Sequence, residues 1–253
     1  MNLKQFVFQK IPPPLFIWLR GQGWHGNYKS WAEASHLTTG YDAPNILERV
    51  KFLMLESIKK QKEQNSSVQY PWELLSALMW IAAQNKGCLN IIDFGGALGG
   101  IYYQNKVFLD QLETVQWNVV EQSHFVELGK KEFETDILKF CFSIDECDSQ
   151  CILLSSVLSY LEKPYELLAD ILKKKYKYVI VARTYFTKNK PDRICIQKVP
   201  KNYYDASYPS WIFEKQKFID FFNQHGYEFL FEYKEKHQLN VPSENIGCLF
   251  KLK

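Results

Sequence analysis

Nowhere is the sequence apolar for long enough to cross a bilayer. Its most apolar stretch is Leu74-Leu75 followed, after Ser76, by Ala77 to Ala83, whereas a membrane helix needs roughly 20 such residues. The opening MNLKQFVFQKIPPP has neither a long apolar core nor a small-residue cleavage site, so no secretory leader is expected and the chain reads as cytoplasmic. Charge of one sign is equally scarce. The 31 Lys+Arg and 28 Asp+Glu leave a net +3, too little to argue for a nucleic-acid partner. Basic runs such as Lys173-Lys174-Lys175 read as solvated helix ends. The 6 cysteines contain no C-x-x-C pair, and Cys141, Cys147 and Cys151 have no close histidine, so no metal is expected. A chain of this length needs no disulfides, and reduced thiols are expected. No internal repeat or low-complexity tract occurs. With 46% hydrophobic and 23% charged residues, disordered, collagen-like and coiled-coil readings are excluded.

Aromatic side chains, by contrast, are plentiful: 7 Trp, 15 Tyr and 18 Phe make up 16% of the chain, enough to line a pocket or to build a heavy core. Residues 1–20 read as an apolar arm broken by Pro12-Pro13-Pro14, and residues 21–43 concentrate glycine and aromatics. Ile46, Leu47, Val50, Leu53, Met54 and Ile58 recur at helical spacing after Pro44, and a second helix opens at Pro71. Residues 1–85 thus read as a helical, aromatic-rich extension packing on a domain of residues 86–253. From Lys86 onward, strands at 89–94, 116–121, 137–142, 151–155 and 178–184 alternate with helices near 101–112, 124–133 and 164–174. Short apolar strands alternating with helices imply an α/β fold with a parallel sheet covered on both faces. The runs 178–186 and 194–199, separated by KNKPD, read as a hairpin. A helix near 214–225 ends at Gly226. Tyr227–Tyr233 and Ile246–Leu252 read as an antiparallel pair at the sheet edge.

The most informative stretch is LNIIDFGGALGG, residues 89–100. A strand runs through Asp93, and Gly95, Gly96, Gly99 and Gly100 lead into a helix. Glycines let the backbone turn sharply and let a ligand approach where a Cβ would obstruct it. The helix that follows offers unpaired N–H groups and the positive end of its dipole. The dinucleotide fingerprint needs glycines at positions 1, 3 and 6. Counted from Gly95, the third position is Ala97; counted from Gly96, it is Leu98. Neither register fits, which disfavours a nicotinamide oxidoreductase. An acid before the first glycine would repel a pyrophosphate but suits a ligand with positive charge nearby. S-adenosylmethionine carries an ammonium and a sulfonium, and a carboxylate for the helix N-terminus. The strand at 116–121 ends at Glu121, where a carboxylate can accept hydrogen bonds from ribose hydroxyls. The simpler alternatives are a helix-capping Asp93 and an exposed strand-end Glu121.

At these residues the sequence resembles the class I S-adenosylmethionine-dependent methyltransferases, and within them a bacterial family of largely uncharacterised methyltransferases. The resemblance is carried by W-x-G-x-Y-x-S-W (Trp24, Gly26, Tyr28, Ser30, Trp31) with Gly40-Tyr41 after it, by DFGGALG, by WNVVEQ, by SSVLSYLEKP, by Ala182-Arg183-Thr184, and by SYPSW at 207–211. It implies a Rossmann-like, seven-stranded sheet with the last strand antiparallel. By position it also implies that Asp93, Gly95, Gly96 and Gly99 hold the methionine part of the cofactor, and that Glu121, with Gln122 beside it, holds the ribose. Phe142 to Asp145 would flank the adenine, and Ser155 and Ser156 would face the methyl-transfer zone. Amine-modifying members often carry an acid and Pro-Pro-Tyr where this chain has Ser-Ser-Val-Leu-Ser-Tyr, which speaks against nucleic-acid-type amine methylation.

Methyl transfer is an in-line displacement in which the cofactor is already reactive, so the protein mainly aligns the acceptor and excludes water. A hydroxyl acceptor also needs a base, and histidine is the usual agent near neutral pH. Of the 5 histidines, His124 follows the Glu121 strand and His25 sits in the aromatic patch; a surface or packing role is the simpler alternative for each. Arg183, at a strand end, reads as a clamp for an anionic acceptor, or else as one half of an ion pair. Trp24, Tyr28, Trp31 and Tyr41 read as a lid, since aromatic faces attract a sulfonium as they do an ammonium, with core packing as the alternative. Tyr208 and Trp211 are expected in an acceptor pocket. The expected function is S-adenosylmethionine-dependent O-methylation of a small molecule or saccharide. The competing reading is an inactive binding module acting through its aromatic surface.

Overall fold

The computed structural model describes residues 23–40, 44–62, 70–187, 190–200, 206–236 and 238–253. Along the chain these form β1 (Gly23–Tyr28), α1 (Trp31–Ser35), α2 (Pro44–Lys62), α3 (Trp72–Gln84), β2 (Cys88–Phe94), α4 (Gly100–Leu109), β3 (Thr114–Val120), α5 (Ser123–Glu132) and β4 (Leu138–Cys141). There follow β5 (Cys151–Ser155), α6 (Pro164–Lys173), β6 (Tyr178–Thr187), β7 (Arg193–Lys198), β8 (Ser207–Glu214), α7 (Lys215–Gln224), β9 (Tyr227–Lys234) and β10 (Glu244–Leu252). Short 3-10 turns lie at Ile144–Glu146 and Leu158–Tyr160.

The sequence CILLS of β5 shows how the layers arise, since all its residues are buried. Cys151 and Leu153 join an apolar cluster with Leu78 and Ile81 of α3 and Ile101 and Tyr102 of α4. Ile152 and Leu154 join the opposite cluster with Leu168 and Ile171 of α6 and Phe218 and Phe222 of α7. A strand covered on both faces must be apolar throughout, and each fully buried Leu or Ile contributes roughly 1.5–3 kcal/mol relative to exposure.

β2 lies in parallel between β3 and β5; β3 pairs with β4 and β5 with β6, also in parallel. β10 runs antiparallel to both β6 and β9. The sheet has ten strands among the described residues, not the expected seven. Three of them, β1, β7 and β8, form an outer antiparallel group. The expected hairpin is absent: β7 pairs with β1 and β8 rather than with β6. β8 takes the place beside β6, which it reaches only through Phe186–Phe213 and Thr187–Glu214.

One irregularity in β6 bears on the site. Thr184 pairs with Ile246 and Val181 with Cys248, so Ala182 and Arg183 together face the single Gly247. Such a bulge bends the strand and re-aims a side chain. Arg183 takes up the distortion with a left-handed backbone, φ 48°.

Candidate functional site

Beyond β2 the chain reverses over Gly95 (φ 70°) and Ala97 (φ 50°) and enters α4 through Gly99 (φ 80°). Asp93 is sealed beneath this turn, with 0% exposure. Its Oδ2 accepts a hydrogen bond from Trp117 Nε1 at 3.2 Å, while Oδ1 has no partner among the described residues. Burial pushes the pKa of Asp93 up to about 7, against the lowering effects of the Trp117 hydrogen bond and the Arg183 charge. Direct contact between Asp93 and a ligand, as expected from the motif, is not what the geometry gives. The carboxylate is closed off from the surface and shapes the turn from below.

Glu121 stands on the neighbouring strand. Phe94 is in register with Val120, and the Gly95 N–H donates to Val120 O at 2.9 Å, which brings the end of β3 beside the turn. Glu121 Oε2 accepts from the Gln122 backbone N–H at 2.7 Å, and the Ala97 N–H also bonds this carboxylate. Burial raises its pKa; the two N–H groups and His124 oppose the rise. Two carboxylates thus bracket one turn, Asp93 from beneath and Glu121 from the side.

The turn opens onto a cavity of about 260 Å³. Gly95 to Leu98, with Gly100, Ile101, Tyr103 and Gln104, form one side; Val50, Leu53, Met54 and Ser57 of α2 form another; Ser155 and Arg183 complete it at the ends of β5 and β6. Arg183 Nε donates to Ser155 Oγ at 2.9 Å, and its backbone N–H donates to Glu235 Oε1 at 3.3 Å. Ala97, Ser156 (φ 61°) and Arg183 are all non-glycine residues with positive φ. Each such residue costs on the order of 1–3 kcal/mol, and strain of this kind gathers at ligand sites. The other two described examples, Lys86 and Lys175, lie just beyond the ends of α3 and α6, where helix termination accounts for them.

Gly95, Gly96, Ser155 and Arg183 therefore come together, with Glu121 alongside and Ser156 next in the chain. Gly99 stands behind the turn, where a Cβ would meet Leu138 at 3.1 Å. Gln122 and His124 are exposed at the start of α5, beside Glu121 and outside the cavity lining. Phe142 is half exposed after β4, with Lys130 Nζ 4.5 Å over its ring. Asp145 does not join the site: its carboxylate pairs with Lys174 beyond α6, which also lowers its pKa.

The expected aromatic lid is instead the packing of the outer strands. Trp24 is buried, donates from Nε1 to Ser210 Oγ at 3.2 Å, and meets Tyr185 edge-on at 5.3 Å. Tyr28 and Trp31 pack on Ile194 and Ile196, and Trp31 stacks on Trp211 at 6.1 Å. Trp211 donates to Leu161 O at 3.0 Å, and Tyr208 is buried against Tyr160. None of these lines the cavity, nor does His25, which sits on β1 opposite Ile196. Tyr41 lies outside the described residues. The cover that the structure does show is α2. Its Leu53 and Met54 were legible only as one face of an amphipathic helix.

Among the described residues no His, Cys, Asp and Glu cluster could hold a metal ion, and no helix is long and apolar enough to cross a membrane. No family model and no curated protein matches the chain, so the narrower bacterial family suggested by the motifs is without a matching model. Solved structures do match. The N-terminal domain of EvdMO1, crystallised in the presence of SAH and D-fucose, aligns with a TM-score of 0.50 and 11% identity over 78% of this chain and 96% of that one. LepI in complex with SAM aligns with a TM-score of 0.50 and 11% identity over 73% of this chain and 47% of that one, so the chain spans about half of LepI. Magnesium protoporphyrin IX methyltransferase from Synechocystis with bound SAM aligns at 0.48 and 11% over 85% of this chain and 87% of that one. What the chain shares with EvdMO1 and LepI is its architecture, a Rossmann-like α/β fold.

Proposed function

We propose that this chain is an S-adenosylmethionine-dependent methyltransferase that O-methylates a small-molecule or saccharide acceptor. One observation carries the reading: Asp93 and Glu121, on adjacent strands, bracket a glycine turn that opens onto a cavity. The residues fit the cofactor's chemistry. Glu121, whose carboxylate bonds the Ala97 N–H of the turn, suits a pair of ribose hydroxyls. Gly95 and Gly96 line the cavity with turn backbone, which suits the amino-acid end. Ser155 and Arg183 stand at the strand ends, on the edge of an open α/β sheet where ligands bind. The cofactor, when bound, supplies an activated methyl group; α2 excludes water, and the protein orients the acceptor.

The histidine base expected for a hydroxyl acceptor has no place among the described cavity-lining residues. His124 belongs with Glu121 on the ribose side, and His25 belongs to the outer strands. The competing reading of an inactive module acting through an aromatic surface is less favoured, because Trp24 and Tyr208 are buried and the half-buried Trp31 and Trp211 stack on each other.

Calorimetric titration tests the proposal. SAH binds and NAD does not. Binding of NAD, or of neither compound, overturns it. With labelled cofactor, a panel of sugars and small hydroxyl compounds then identifies the acceptor.

A further inference from the structure

We propose that Arg183 anchors the α-carboxylate of the cofactor's methionine moiety, rather than an anionic group on the acceptor. The inference rests on the S-adenosylmethionine reading and assigns one contact within it. Among the described residues lining the cavity, Arg183 alone carries a charge. It shares that cavity with Gly95 and Gly96, the backbone suited to the amino-acid end. The cavity, at about 260 Å³, is smaller than the ~300–1,000 Å³ of sites for drug-sized ligands. A volume of that size suits the compact amino-acid end of the cofactor. In-line transfer also demands that the acceptor approach from the far side of the methyl group, away from the amino-acid end.

The side chain is prepared for such a contact. The bulge opposite Gly247 makes Arg183 the exposed residue of an otherwise buried β6. Nε is committed to Ser155 Oγ at 2.9 Å, which fixes the guanidinium plane. Both Nη groups are without a hydrogen-bond or ion-pair partner among the described residues. The carboxylates nearby do not supply one: Asp93 is sealed under the turn, and Glu235 accepts from the Arg183 backbone N–H. Two parallel N–H donors on a cavity-lining residue match a carboxylate in bidentate fashion.

The test compares SAH with 5′-methylthioadenosine, which keeps the nucleoside and the sulfur but lacks the amino-acid portion. Arg183→Gln should raise the Kd for SAH ~10–100-fold, the range for loss of a charge-assisted hydrogen bond, and leave the Kd for 5′-methylthioadenosine within about twofold. Arg183→Lys, which keeps the charge but loses the fork, should fall between wild type and Arg183→Gln for SAH, and it carries the test if the glutamine variant does not fold. Unchanged SAH affinity overturns the assignment, as does equal weakening of both compounds. Wild-type protein that binds neither compound fails the parent reading, and the anchor with it. Wild-type protein that binds SAH while the variants bind it as well fails the anchor alone.

Discussion

Gly96 rests directly on the carboxylate of Asp93. A Cβ built on that glycine would stand 2.6 Å from Asp93 Cγ and 2.7 Å from Oδ2, closer than packed atoms tolerate. The glycine is there because an acidic side chain fills the space beneath it, and the acid is buried because the turn closes over it. Gly96→Ala should therefore destabilise the protein by ~1–3 kcal/mol, as overpacking does, and weaken SAH binding. In an Asp93→Ala background the same substitution should cost less, giving a coupling energy in a double-mutant cycle. Strict additivity in denaturant unfolding would refute the contact.

The buried Asp93 also gives the fold a signature in pH. Its folded pKa, about 7, lies above the ordinary 3.8 because burial disfavours the charged form. The folded chain thus holds this proton over a range in which the unfolded chain has released it. The stabilisation is complete below about pH 4 and is lost as the pH rises towards 7. Asp93→Asn has no proton to lose. Between pH 4 and 8 the wild type should lose stability relative to Asp93→Asn, with other titrating groups cancelling in the difference. Parallel urea-unfolding profiles would contradict the shift.

The strand–turn–helix unit holding Asp93 was legible because its grammar is local: an apolar run, an acid, then glycines. Glu121 was legible for the same reason, as the polar end of a buried strand. Of the outer strands, β7 was legible as a strand, but β1, β8 and the pairing of all three were not. β1 (GWHGNY) is rich in glycine and polar residues, and its partner β7 lies far along the chain; local periodicity carries no sign of such a pairing. β8 contains Pro209, and proline within a run argues against a central strand. β8 escapes that rule because it meets β6 at only two residues. The aromatics of both strands consequently read as a site when they are a core. Helix α2 was visible as an element, but an apolar stripe does not say which surface it covers.

Glu121→Gln keeps the shape of the side chain and removes its charge. If this carboxylate receives the ribose hydroxyls, the variant should weaken SAH and 5′-methylthioadenosine alike, by roughly tenfold each, the scale of one charge-assisted hydrogen bond. Calorimetry on both compounds checks it. Wild-type affinity for both would remove Glu121 from the site.

The two candidate covers are separable. Trp24→Ala empties a buried site between β1, β7 and β8 and should cost ~3–5 kcal/mol in stability, with unchanged SAH affinity in the folded protein. Leu53→Glu, on the cavity side of α2 and 38% exposed, should change stability by no more than ~0.5 kcal/mol while weakening SAH binding. The reverse pattern in melting and titration would restore the aromatic lid.

A crystal structure of the chain with SAH is the most direct test of all. The ribose hydroxyls should lie against Glu121, the amino-acid end over Gly95 and Gly96, and the sulfur facing Ser155. Density for SAH away from this turn, or a turn left empty at saturating SAH, would contradict it.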